Sequence, residues 1–254
     1  MLGMPVDDFW SVNLEHGERW WYAHVVELPG CFTREDERGR ALLALPEAIS
    51  HHLEFLSSRG VMMAETSSGI RVVEEVNGIP ELGEAGGAVA IFESDRAPVS
   101  REDYDRFLDL MRWNRGELVS IVEPLSEDAK ISRPLPGKWT INETLRHIAN
   151  AEEWYISRLG PKAQRELEAF VESLRPDEGR QTVLGRLNAT RQGVYHALDA
   201  AHERGVPGVF RRRAYTRHEE EEWTLRKVLR RFVEHEREHI GTIRKVIDAL
   251  PLGT

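Results

Sequence analysis

A chain of 254 residues with 43 acidic and 34 basic side chains, a formal charge of −9 and one cysteine has material for one large domain or two ordinary ones. The lone Cys31 excludes an internal disulfide, no apolar run approaches the ~18 residues that span a bilayer, and the first ten residues lack the order of a secretory signal, so a soluble cytoplasmic protein is expected. The charge is uneven: residues 1–100 hold 17 acidic against 7 basic side chains, a balance of −10 that repels phosphate backbones and argues against nucleic acid as a partner.

Residues 7–15 and 19–27 read as two strands, with Trp10, Val12 and Leu14 alternating in the first and His16-Gly17 at the turn. Leu28-Pro29-Gly30 breaks the second. Residues 38–58, rich in Ala and Leu, form a helix that Pro46 is expected to bend, because proline lacks an amide donor and crowds the preceding turn. Two further strand-like runs, Ile70 to Val76 and Ala88 to Phe92, complete the order β-β-α-β-β, a small α+β domain over residues 1–95. Residues 96–100, with Pro98, read as a linker.

From residue 101 to 254 the apolar spacing is helical. Ser100 with Asp103, and Thr140 with Glu143, have the spacing of capped starts, so helices begin at about 101 and 141. Further helices fit 179–203 and 225–249, the latter after the acidic run Glu219 to Glu222, and a shorter piece fits 162–174. Four long helices with one long crossover connection predict a four-helix bundle. Trp139-Thr140 with Leu145-Arg146 recurs as Trp223-Thr224 with Leu229-Arg230, and each tryptophan is expected to act as a hydrophobic staple at its helix entry.

The last helix has a stripe of Leu225, Val228, Leu229, Phe232, Ile243, Val246 and Ile247, which His235 and His239 complete. Four residues advance about 6 Å along a helix and little more than one turn around it, so both imidazoles leave one face and can converge on one ion. His147 lies on the flank of the stripe of the second helix, beside Ala151 and Trp154. Asn114 and Arg115 interrupt the stripe of the first helix, Glu152 that of the second and Arg191 that of the third. Such a centre is either a buried Glu152–Arg191 ion pair with satisfied histidines, or a ligand site; polar clusters drawn from several helices favour the site.

Three neutral imidazoles suit zinc, nickel, copper or iron, and three protein ligands leave a position open for water or a thiol. Glu143, one turn before His147, either orients that imidazole through its second nitrogen or stands solvated at the surface. Trp154, Arg191 and Asn114 are the other candidates for contact with a substrate or a ligand. Cys31 reads as a packing cysteine, and His51, His52 and His196 as surface or packing histidines.

At these residues the second half resembles the DinB/YfiT-like family of metalloenzymes, through Trp139 to His147 and through His235-Glu236-Arg237-Glu238-His239-Ile240-Gly241. The resemblance covers residues 101–254 and implies a four-helix bundle whose metal triad is His147, His235 and His239, with nickel or zinc. It also implies a low-molecular-weight thiol as cosubstrate in some relatives, in transfer or isomerisation. Glu238 and Thr242 stand where the family often has histidine and glutamine.

The front part resembles the HicB-like antitoxin family over residues 8–60, through Tyr22 to Thr33 and Pro46-Glu47-Ala48-Ile49. That resemblance implies a partly degenerate ribonuclease H-like fold and capture of a small protein partner. Two functions follow. One is a metal-dependent enzyme, a thiol-dependent transferase or isomerase or a hydrolase, with a HicB-like recognition domain. The other is a non-catalytic binding protein in which the bundle is scaffold. A homodimer without membrane contact is the expected assembly, and the catalytic residues are left unassigned.

Overall fold

The computed structural model describes residues 9–62, 69–174, 182–205 and 208–251. The predicted strand and helix ends at 7–8 and 179–181 lie outside the described residues. The chain divides into two compact units, Met1–Ala97 with Arg213–Glu222, and Pro98–Arg212 with Trp223–Thr254.

The first unit runs β1 (Trp10–His16), β2 (Trp21–Val25), β3 (Phe32–Glu35), α1 (Arg38–Ser57) and β4 (Ile70–Asn77). The sheet order is β3-β2-β1-β4, antiparallel except for the parallel pair β1 and β4. In register, Thr33 faces Ala23 and Ala23 faces Leu14. The Thr33 hydroxyl donates to the Ala41 carbonyl at 2.7 Å, which seats α1 on the face carrying these residues. Leu14, Ala23, Ala41 and Leu45 are fully buried there. α1 continues through Pro46 as one helix.

The order is therefore β-β-β-α-β, not β-β-α-β-β. β3 is four residues long and follows the Leu28-Pro29-Gly30 turn, where Gly30 takes φ 89°. Ala88 to Phe92 is not a strand. It is extended, but its amides bond to groups other than a neighbouring strand. The Ala90 amide donates to the buried Glu15 carboxylate at 2.6 Å, the Val89 amide to Glu221 at 3.0 Å and the Phe92 amide to Asp95 at 3.0 Å. Glu15 also bonds His24 at 3.0 Å, so a fully buried carboxylate is satisfied from two sides. The strap turns into the short helix α2 (Glu93–Arg96). Only glycine fits at 87, where a Cβ would lie 1.9 Å from the Glu81 carbonyl oxygen.

The second unit contains α3 (Arg101–Val122), the short α4 (Glu127–Ile131), α5 (Ile141–Arg158), α6 (Pro161–Ser173), α7 (Val183–Glu203) and α8 (Leu225–Asp248). Hydroxyl caps set the starts of the long helices: Ser100 accepts from the Asp103 amide, Thr140 from Glu143, Thr182 from Gly185 and Thr224 from Lys227, all at 3.0–3.1 Å. α3 packs on α8 and α5 on both α7 and α8, while α6 lies against α5 and α7 in the long connection. The close approach of α6 requires Gly193, whose Cβ would meet Val171 at 2.8 Å and Leu167 at 2.9 Å. Leu118, Leu145, Leu187 and Ile243 form one fully buried end of the bundle core. No helix among the described residues is long and apolar enough to cross a membrane.

Candidate metal centre

α5 and α8 meet at a cluster of three histidines. The Nε2 atoms of His147 and His239 each lie 3.0 Å from Nε2 of His235, and the three candidate donor atoms are within 4.8 Å of one another. His235 and His239 share a face because they are four residues apart on α8. His147 reaches them because α5 packs against α8 at this height.

Burial favours the neutral form of His147 and His235. It pushes His147 below the usual histidine range. His235 is driven well below that range, first by burial and then by the neighbouring His239, His147 and Arg231. The chemistry of the set fits a divalent transition metal: three imidazole nitrogens within 4.8 Å of one another. Tyr155 meets the His235 ring edge-on at 5.7 Å and 85°. Trp139 lies 4.7 Å from the His147 ring and 6.5 Å from that of His239.

Next to this cluster, and one residue along α8, the interior carries a quartet of charges. Arg115 donates to Glu236 at 2.7 Å, to Glu152 at 2.5 Å and to the Leu187 carbonyl at 3.0 Å. Arg191 donates to Glu236 at 2.9 Å, to the Met111 carbonyl at 2.9 Å and to Glu152. Each of the four long helices α3, α5, α7 and α8 contributes one member. Burial opposes the charge on Arg191, but Glu152 and Glu236 outweigh it and raise its pKa well above the usual value. Burial likewise opposes the Glu236 carboxylate, and Arg115 and Arg191 outweigh it in turn.

The Glu152–Arg191 pair and the histidine cluster both form, side by side in the bundle. Glu236 escaped notice, although it is in i+4 register with the buried Phe232 and Ile240. Glu143 is engaged at its helix start: its carboxylate accepts from the Thr140 amide at 2.8 Å and from Arg133 at 2.7 and 2.9 Å. Trp154 stands against Trp223 at 5.2 Å and under the Arg158 guanidinium at 4.5 Å. Asn114 donates to the Val233 carbonyl at 3.2 Å. Cys31 is buried in the first unit, as a packing residue would be.

A bundle of long capped helices with convergent histidines across two of them defines a helical protein equipped for a metal. The chain belongs to the DinB superfamily, whose family model matches residues 110–243. It is also similar to two solved structures. One is TT2238, a four-helix bundle protein, at 18% identity and a TM-score of 0.40, covering 56% of this chain and 98% of that one. The other is YfiT from Bacillus subtilis, described as a probable metal-dependent hydrolase with an unusual four-helix bundle topology, at 18% identity and a TM-score of 0.44, covering 66% of this chain and 97% of that one. No curated protein matches. The family match leaves residues 1–109 outside its span.

Proposed function

We propose that this chain is a divalent-metal-dependent enzyme of the DinB class, in which His147, His235 and His239 hold one nickel or zinc ion through Nε2. The observation that carries this reading is the convergence of three imidazoles from two helices within 4.8 Å. Bound there, a divalent ion supplies Lewis acidity toward a water or a low-molecular-weight thiol in its open position. The chain's own residues orient and exclude water. Tyr155 fixes the ring of His235 from the edge, and the charge quartet ties α5 to α8, the two helices that carry the donors.

Two reaction types fit: transfer or isomerisation with a thiol, and hydrolysis by an activated water. Protein purified without an affinity tag is expected to carry close to one transition metal per chain. After exchange for cobalt, small thiols are expected to produce a sulfur-to-metal charge-transfer band. A spectrum unchanged by several cellular thiols would leave hydrolysis, and metal-free protein of undiminished stability would sink the proposal.

For the first unit we propose recognition of a partner, the role that the resemblance of residues 8–60 to the HicB-like family implies. Its side of the chain carries the acidic excess, and its sheet ends in the edge strands β3 and β4, which offer backbone groups to an added strand. A second copy of the chain is the partner proposed, giving a homodimer. Sedimentation of the full chain at micromolar concentration is expected to show dimers; a monomer would remove this assignment.

A further inference from the structure

Trp139 is 42% exposed, although it touches the rings of two of the three histidines. It lies tilted at 57° against His147 and nearly parallel, at 19°, to His239. Its counterpart in the repeated Trp-Thr motif has a different fate. Trp223 is 1% exposed and lies against Trp154 and the ammonium of Lys227. Trp139 therefore departs from the staple expectation: the same helix-entry chemistry holds an indole out over the histidine cluster.

The backbone on both sides of Trp139 is tied down. Arg133 donates to the Lys138 carbonyl and, through its other nitrogen, to both oxygens of Glu143. Glu143 in turn accepts from the Thr140 amide at 2.8 Å. The Lys138 amide donates to the Leu135 carbonyl at 3.1 Å in a turn that places Gly137 at φ 72°. These bonds fix residues 138 and 140, so the indole is positioned without being covered. A fixed aromatic face with exposed surface beside a donor cluster loses little entropy when a flat group settles on it.

We propose that Trp139 is the substrate-facing wall of the centre, receiving the flat, unsaturated portion of a ligand whose donor atom sits at the ion. This rests on the metal reading given above. It assigns to the substrate a planar apolar part next to its metal-binding head, and to Arg133 and Glu143 the role of positioning residues.

The test uses the cobalt-loaded full chain and two probes with the same chelating head, acetohydroxamate and benzohydroxamate, titrated by visible absorption. The aryl probe is expected to bind about two- to twelvefold more tightly, the range of an aromatic contact beyond simple burial. Trp139→Ala is expected to erase that preference while cobalt content and acetohydroxamate affinity stay unchanged. Trp139→Phe should retain part of it, and Arg133→Ala should weaken it by releasing the indole. Equal affinity of the two probes for the parent chain, or a preference that survives in Trp139→Ala, would overturn the inference. Failure of cobalt to load would overturn the metal reading and this inference with it, whereas full loading without aryl preference would overturn this inference alone.

Discussion

If the three histidines hold an ion as proposed, replacing His235 with alanine is expected to abolish stoichiometric metal binding. His235 is the central member of the cluster, with the Nε2 atoms of His147 and His239 each 3.0 Å from its own. Its loss leaves two donors, one on each of two helices, and a pair closes no facial site. The drop in affinity should exceed the about 10- to 100-fold that removal of an outer-shell partner costs a metal site. Elemental analysis of the purified variant, with calorimetric titration of nickel and zinc into metal-free protein, measures it. Retention of metal at the parent level, in a variant with unchanged helix content, would show that the ion is held elsewhere.

The second large effect concerns the interior charges. Arg191→Met is expected to destabilise the bundle by about 3–5 kcal/mol, because it removes one of two cations facing Glu152 and Glu236 and leaves two buried carboxylates to share Arg115. Replacing all four charges by apolar residues of similar volume should cost far less, since every desolvated ion disappears together. Urea unfolding followed by helix ellipticity separates the two outcomes. A single variant as stable as the parent would mean that the remaining carboxylates are neutralised or solvated in the folded chain.

What the sequence shows of this structure follows the range of the interactions. The starts of α3 and α5 are legible at Ser100 and Thr140 because a cap is a hydrogen bond spanning three residues. His235 and His239 are legible for a similar reason: both lie on one helix, and their spacing alone puts them on its inner face. His147 lies 88 residues from His235 and on the flank of its own helix, so its place was implied only by the family resemblance. Glu236 gives no signal of its role within its own helix, because its partners Arg115 and Arg191 come from α3 and α7. The strap at Ala88–Phe92 misleads because its pattern is that of a strand, while its amides bond to carboxylates 75 and 132 positions away. Trp139 and Trp223 share a local motif, and only the packing around each leaves one indole 42% exposed and the other 1% exposed.

His235 and Glu236 are consecutive on α8, so one turn of helix serves both the donor cluster and the charge quartet. The two cannot be perturbed separately in thermodynamic terms. An ion gripped by His235 holds in register the same turn through which Glu236 clamps α3 and α7, so occupancy of the centre is converted into resistance of the whole bundle to unfolding. At a free ligand concentration a hundredfold above its dissociation constant, that linkage amounts to about 2.7 kcal/mol. Melting temperature thereby becomes a general detector for this protein: any ion, chelator or small molecule that engages the centre registers as a thermal shift, before a reaction has been found for it to inhibit.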